Sequence, residues 1–227
     1  METKSDHTPA SITNLVDAIR DKSALVKPRP VVDEEKIEEK IVNGRSCVAN
    51  DRLGIPARFI GKSLSNFQGY EAEVDLARQA ISRGKSAFIS GPPGVGKTHM
   101  AYGLALLYYS KHFAIRSIPV FISSARLLLD LKSSIDEGNE RATIRHYGTT
   151  PFLVIDDLGA ERISDWSRQQ MYLILDWRYN DMRQTVITSN LTLEKVAELI
   201  DDRLASRLVE MGEIITLKGG DWRVERK

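Results

Sequence analysis

The stretch Gly91-Pro92-Pro93-Gly94-Val95-Gly96-Lys97-Thr98 constrains this chain more than any other. It fits G-x-x-x-x-G-K-[ST], the pattern of a loop that wraps phosphate groups with its own backbone. Glycines let successive N–H groups turn inward, a lysine reaches the outer phosphates, and the final hydroxyl is placed to ligate magnesium. Such a loop works between a strand and the N-terminus of a helix, whose positive end favours anions. That context is present, since Ser86–Ser90 reads as a strand and His99–Lys111 as a helix. Gly91 through Thr98, with His99 at the head of the helix, are therefore the candidate residues for ATP. Lys97 is assigned to the β and γ phosphates and Thr98 to Mg2+.

A second group must face the magnesium. Phe152–Ile155 is an almost wholly apolar run, expected to be a strand buried on both faces of a parallel sheet, and it ends in Asp156-Asp157. Ligands bind at that edge of such sheets. Asp156 is expected to hold magnesium through water, and Asp157 to act as the catalytic base on the attacking water. Thr185–Thr188 repeats the design and ends in Ser189-Asn190. Asn190 could orient the attacking water or touch the γ phosphate, although asparagine in such a place is also a turn former. Arg203 and Arg207 stand four apart on one helical face. Such a helix is often only salt-bridged surface, but an arginine offered from a neighbouring subunit stabilises phosphoryl transfer, and Arg207 is the better candidate.

The remaining pattern alternates strands and helices. Helices are expected at Tyr70–Ser82, Ala125–Ile135, Glu140–Tyr147, Asp165–Asp181, Leu193–Leu199 and Asp202–Glu210, with further strands at Ser117–Ile122 and Ile214–Leu217. This predicts an α/β fold, a doubly wound parallel five-stranded sheet with right-handed crossovers. At 227 residues the chain has room for one such core and a modest extension. The extension is residues 1–50, a charged arm with two short helical patterns, Ile12–Arg20 and Glu34–Val42, around Pro28 and Pro30. Its small apolar faces, Leu15, Val16 and Ile19, then Ile37 and Ile41, suit either a tether or a partner-docking segment. Residues 51–227 form the main domain.

A net charge of +1 supplies no global attraction to nucleic acid, so such binding would need a local patch. The single cysteine, Cys47, excludes an internal disulfide framework and reads as an inert thiol in a reducing compartment. The N-terminus is polar and no apolar run approaches ~18 residues, which points to a cytoplasmic protein without a membrane span.

Gly91–Thr98, Leu153–Asp157 followed by Leu158-Gly159, Ser189-Asn190 and Asp202–Leu208 together resemble the AAA+ ATPases. Within them they are similar to DnaC-type replicative helicase loaders and IstB-type transposition ATPases. The resemblance runs from about Arg52 to Arg223 and includes a lead-in, Leu53 to Ile60 with Ser65-Asn66-Phe67, and the run Ile155 to Glu161. It implies that Lys97 and Thr98 are the Walker A pair, Asp156 and Asp157 the Walker B pair and Asn190 sensor one. It further implies that Arg207 is an arginine finger acting in trans and that Arg223 is a sensor-two arginine touching nucleotide. Two departures stand out. The common Walker B ends in Asp-Glu, and the shorter Asp157 implies slow or partner-dependent hydrolysis. Ten residues after Leu217 leave no room for a full helical lid. In the initiator and loader branch an added helical element contacts single-stranded DNA. Ser123–Tyr147 is its place here, with Arg126, Lys132, Arg141 and Arg145 as candidate phosphate contacts that several acids dilute. The resemblance implies an ATP-dependent factor that self-associates through the ATP site and loads a replicative DNA helicase on single-stranded DNA. The alternatives are a transposition regulator assembling on duplex DNA and a nucleotide-gated binding module with little hydrolysis.

Overall fold

The computed structural model describes residues 57–59, 61–112, 117–160 and 164–222. The arm 1–50 with both its helical patterns, Cys47, most of the lead-in before Ala57, Glu161 and Arg223 lie outside the described residues.

Five strands form one parallel sheet: β1 (Ser86–Ser90), β2 (Val120–Ser123), β3 (Phe152–Leu158), β4 (Gln184–Ser189) and β5 (Gly212–Thr216), in the order β2-β3-β4-β1-β5. Between and around them run α1 (Glu71–Ser82), α2 (Lys97–Lys111), α3 (Ser124–Asp136), α4 (Glu140–Thr149), α5 (Asp165–Asn180), α6 (Leu193–Leu199) and α7 (Asp202–Met211). The doubly wound α/β fold expected from the alternation is the fold observed. Boundaries moved for local reasons. The strand expected from Ser117 begins only at Val120 because Pro119 has no N–H to give the ladder. β5 pairs from Gly212 onward, starting before the expected Ile214.

Alternation along each strand splits the core between the two faces. Ala87, Ile89, Phe152, Val154 and Val186 join the cluster under α1 and α2, whereas Phe88, Leu153, Ile155 and Ile187 join the one under α3, α5, α6 and α7. The helix after β1 thus covers one face and the helices after β4 the other. The carboxyl ends of these adjacent strands diverge there, which opens the crevice where α/β sheets bind ligands.

At the opposite end of the sheet, Arg178 of α5 is completely buried. Its guanidinium donates to the backbone carbonyls of Tyr147 (2.8 Å), Thr150 (2.8 Å) and Gln184 (2.5 Å) and to Thr185 Oγ1 (2.8 Å). Tyr147 and Thr150 sit at the C-terminus of α4, the negative end of that helix, so the cation meets a matching dipole. Burial, with Arg183 adding to it, pulls its pKa down to about 9. At neutral pH the group remains charged and ties α4, α5 and β4 together.

Candidate functional site: a phosphate loop and its carboxylates

The loop leaves β1 at Gly91 and enters α2 at Lys97. Gly94 and Gly96 have φ of 77° and 106°, left-handed conformations that other residues rarely adopt. A Cβ on Gly96 would also lie 2.9 Å from the Phe67 ring, and one on Gly94 would strike the Asp221 carboxylate. Gly96 is the N-cap of α2 and offers no side chain to cap it, so the first N–H groups of the helix are left for a ligand.

Lys97 is 6% exposed, and its Nζ donates to Gly91 O (2.9 Å), Pro92 O (2.8 Å) and Asn190 Oδ1 (2.7 Å). Asn190 Nδ2 in turn donates to Asp157 Oδ1 (2.8 Å). One amide thus links the Lys97 ammonium to the Asp157 carboxylate. Beside it, Thr98 Oγ1 donates to Asp156 Oδ2 (3.2 Å). The pair lies at the end of β3 and the start of α2, as the sequence predicts.

Thr188, one register step away on β4, carries a contribution that the sequence reading did not assign. Its hydroxyl donates to Asp156 Oδ1 (2.6 Å) and accepts from the backbone N–H of Asp157 (2.8 Å). The signal was a hydroxyl near the carboxyl end of a buried strand, and the structure shows it fully enclosed and hydrogen-bonded. Burial is the main reason that the Asp156 carboxyl is pushed above the ordinary carboxylate range. Hydrogen bonds from Thr188 and Thr98 pull it back, Asp157 raises it further, and Arg58 lowers it.

Asp157 has φ of +60°, in the left-handed region, and β3 gains one residue against β4 there, between the pairs Ile155↔Ile187 and Leu158↔Ser189. This bulge turns the second carboxylate away from the ladder and toward Asn190. Ser124 Oγ holds the Asp157 carbonyl (2.9 Å) and Ser189 Oγ the Leu158 carbonyl (2.6 Å), which fixes the twist.

Lys97, Thr98, Asp156, Asp157 and Asn190 line one cavity of about 480 Å³, and Pro93, Gly94 and His99 also border it. His99 turns its Nε2 to Ser63 O (2.9 Å) and Asn66 Oδ1 (3.0 Å), anchoring the lead-in against α2. Among the described residues no three His, Cys, Asp or Glu side chains form a self-contained metal cage. Thr98 and Asp156 offer only oxygen donors, the class magnesium takes when phosphate oxygens complete its shell. They fit that ion.

Arg207 is not presented freely. It is ion-paired with Asp176 of α5, and its guanidinium lies over the rings of Tyr172 (5.3 Å) and Tyr179 (5.0 Å). Arg203, one turn earlier, is exposed. Of the candidate DNA contacts, Arg126 is paired with Asp130 at 2.8 Å, while Lys132, Arg141 and Arg145 are exposed, the last two four residues apart on α4.

The chain is similar to several known proteins. A protein of insertion sequence IS232 from Bacillus thuringiensis subsp. berliner is 28% identical over 140 residues, covering 60% of this chain and 54% of the relative. Phage-like element PBSX protein XkdC from Bacillus subtilis (strain 168) is 28% identical over 166 residues, 70% of this chain and 58% of the relative. The chain therefore spans little more than half the length of these relatives. Among solved structures, the crystal structure of the DnaC helicase loader superposes with a TM-score of 0.63 at 28% identity, over 72% of this chain and 100% of that one. Residues 75–227, which carry every element of the cavity after the lead-in, match the family described as IstB-like ATP binding protein, and the chain belongs to that family.

Proposed function

We propose that the chain is an ATPase that drives assembly of a replicative DNA helicase on single-stranded DNA, hydrolysing ATP where subunits meet. The observation that carries the ATPase half is the Lys97–Asn190–Asp157 chain of hydrogen bonds. In it, the group that would bind the γ phosphate and the group that would take a proton share one amide. With ATP bound, Lys97 exchanges the Gly91 and Pro92 carbonyls for phosphate oxygens. Asn190 then faces the attacking water, and Asp157 accepts its proton as oxygen joins the γ phosphorus and the bond to the bridging oxygen breaks, releasing ADP. Magnesium, when held by Thr98 and Asp156, neutralises phosphate charge. Arg207, once released from Asp176, serves the site of the next subunit. Residues 1–50 are the segment that grips the helicase.

The end-to-end coverage of the DnaC helicase loader structure supports the loader reading, with exposed Lys132, Arg141 and Arg145 as DNA phosphate contacts. The insertion-sequence relative supports a second reading, an assembly factor on duplex DNA that engages a transposase. A pull-down with a replicative helicase, with and without ATP, is expected to capture it in an ATP-dependent way that deletion of residues 1–50 abolishes. Failure to capture, with tighter binding to duplex than to single strands, would transfer the assignment to the second reading. Lys97→Ala is expected to abolish ATP binding, and Asp157→Asn to bind ATP but not turn it over. An Asp157→Asn protein with unchanged turnover would leave a nucleotide-gated module without this base.

A further inference from the structure

The nucleotide trough has two ends, and only one of them carries acid. The cavity beside the loop holds Asp156 and Asp157. A second cavity, of about 600 Å³, adjoins it, shares Gly96 and His99, and is lined by Phe67 and Trp222 with no carboxylate. A nucleotide whose phosphates lie on the loop therefore runs from an aromatic end toward the aspartates. Arg58 stands at the acidic end. It lies on the short 3-10 turn Ala57–Phe59, borders the first cavity and not the second, and is solvent-exposed.

Its guanidinium is held over the Phe59 ring at 4.7 Å, and among the described residues no carboxylate lies within ion-pair distance of it. Among the charged side chains bordering the first cavity, Lys97 and Arg58 balance Asp156 and Asp157. A magnesium–ATP complex brings about two negative charges and a magnesium–ADP complex about one. Without Arg58 the cavity would be net negative toward both, and the more highly charged triphosphate would suffer most.

We propose that Arg58 clamps the terminal phosphate from within the same chain, so that one subunit distinguishes nucleoside triphosphate from diphosphate before any neighbour supplies an arginine. The proposal rests on the ATP-binding reading above and adds a residue from the lead-in to it. A planar fork on an aromatic ring suits that task, because it reaches two phosphate oxygens at little further entropic cost.

The test is equilibrium binding of ATP and of ADP, each with magnesium, to the full chain at concentrations where it is monomeric. Unaltered protein is compared with Arg58→Ala, Arg58→Lys and Lys97→Ala, and a thermal melt of each confirms folding. Arg58→Ala is expected to weaken ATP about tenfold to a hundredfold, the span for one charge-assisted hydrogen-bonded contact. ADP should stay within about twofold, and Arg58→Lys should recover part of the ATP affinity. Equal losses for ATP and ADP, or no loss for either, would overturn the clamp. If Lys97→Ala abolishes ATP binding while Arg58→Ala leaves it intact, the clamp alone fails. If the unaltered chain binds no ATP, the nucleotide reading falls and the clamp falls with it.

Discussion

Replacing Arg178 with methionine removes a fully buried cation whose donors serve three backbone carbonyls at 2.8 Å or less, a fourth, that of Gly148, at 3.5 Å, and one hydroxyl. Methionine fills most of the volume but donates nothing. Each carbonyl left dry costs about 1–3 kcal/mol, which sums to about 3–9 kcal/mol for Tyr147, Thr150 and Gln184. Removing the guanidinium also removes the penalty of burying its charge, so part of that loss is recovered. Breaking one side of a buried charged network typically nets about 3–5 kcal/mol. For a domain of this size that corresponds to a fall in Tm of roughly 6–20 °C, at about 2–4 °C per kcal/mol. Urea titration should show the lower midpoint with an unchanged slope, since the surface exposed on unfolding is the same. Arg178→Lys keeps the charge but concentrates its donors on one nitrogen, and should lose less than the methionine variant. At low temperature Arg178→Met should still bind ATP, because the residue lies at the amino ends of the strands and the loop at their carboxyl ends. A loss below about 1 kcal/mol in the methionine variant would refute the reasoning, since the carbonyls would then have other partners.

Asp156→Asn should make the nucleotide-free protein more stable at neutral pH while abolishing magnesium-dependent nucleotide binding. Burial raises the folded-state pKa of this acid, so the native state holds its proton longer than the unfolded chain does. Stability is lost as pH rises from the ordinary carboxylate range through the raised pKa, and the cost is fully present above it. Asparagine still accepts from Thr188 without carrying charge, so the advantage of the variant in denaturant titrations should shrink as pH falls. An advantage that persists unchanged at acid pH would count against this account. Arg207→Ala should leave ATP binding by the monomer within about twofold but remove concentration-dependent hydrolysis. Asp176→Ala, which frees the arginine, should lower the protein concentration at which hydrolysis begins. Hydrolysis by Arg207→Ala that equals the parent at high concentration would exclude the trans role.

The loop, the apolar strand ending in Asp156-Asp157 and the alternation of strands and helices were legible because each is local: a spacing, a run, a period. What escaped reading depends on partners far along the chain. Thr188 matters because β4 lies beside β3, and nothing within residues 184–190 says so. Arg178 looked like any charged residue in a helix until four groups from α4, β4 and their connections were seen to converge on it. For Arg207 the sequence offers two readings, a salt-bridged surface or an arginine presented to a neighbouring subunit. Its partner is Asp176, 31 residues earlier, through a contact between α5 and α7 that only the tertiary fold creates. The resemblance implies a role for Arg207 but not its present bonding, and none for Thr188 or Arg178.

The bulge at Asp157 also changes how the two-aspartate ending should be regarded. Read as a sequence, it is an Asp-Glu motif one methylene short. In three dimensions the shorter acid and the left-handed backbone belong together, because aspartate is among the few non-glycine residues that tolerate that conformation. Lengthening the side chain would lose that tolerance and carry the carboxylate past the Asn190 amide that now holds it at 2.8 Å. A glutamate here would need a rebuilt strand end, with the serine hydroxyls that brace it and the amide opposite, so the two-aspartate ending can change only together with the residues that hold it.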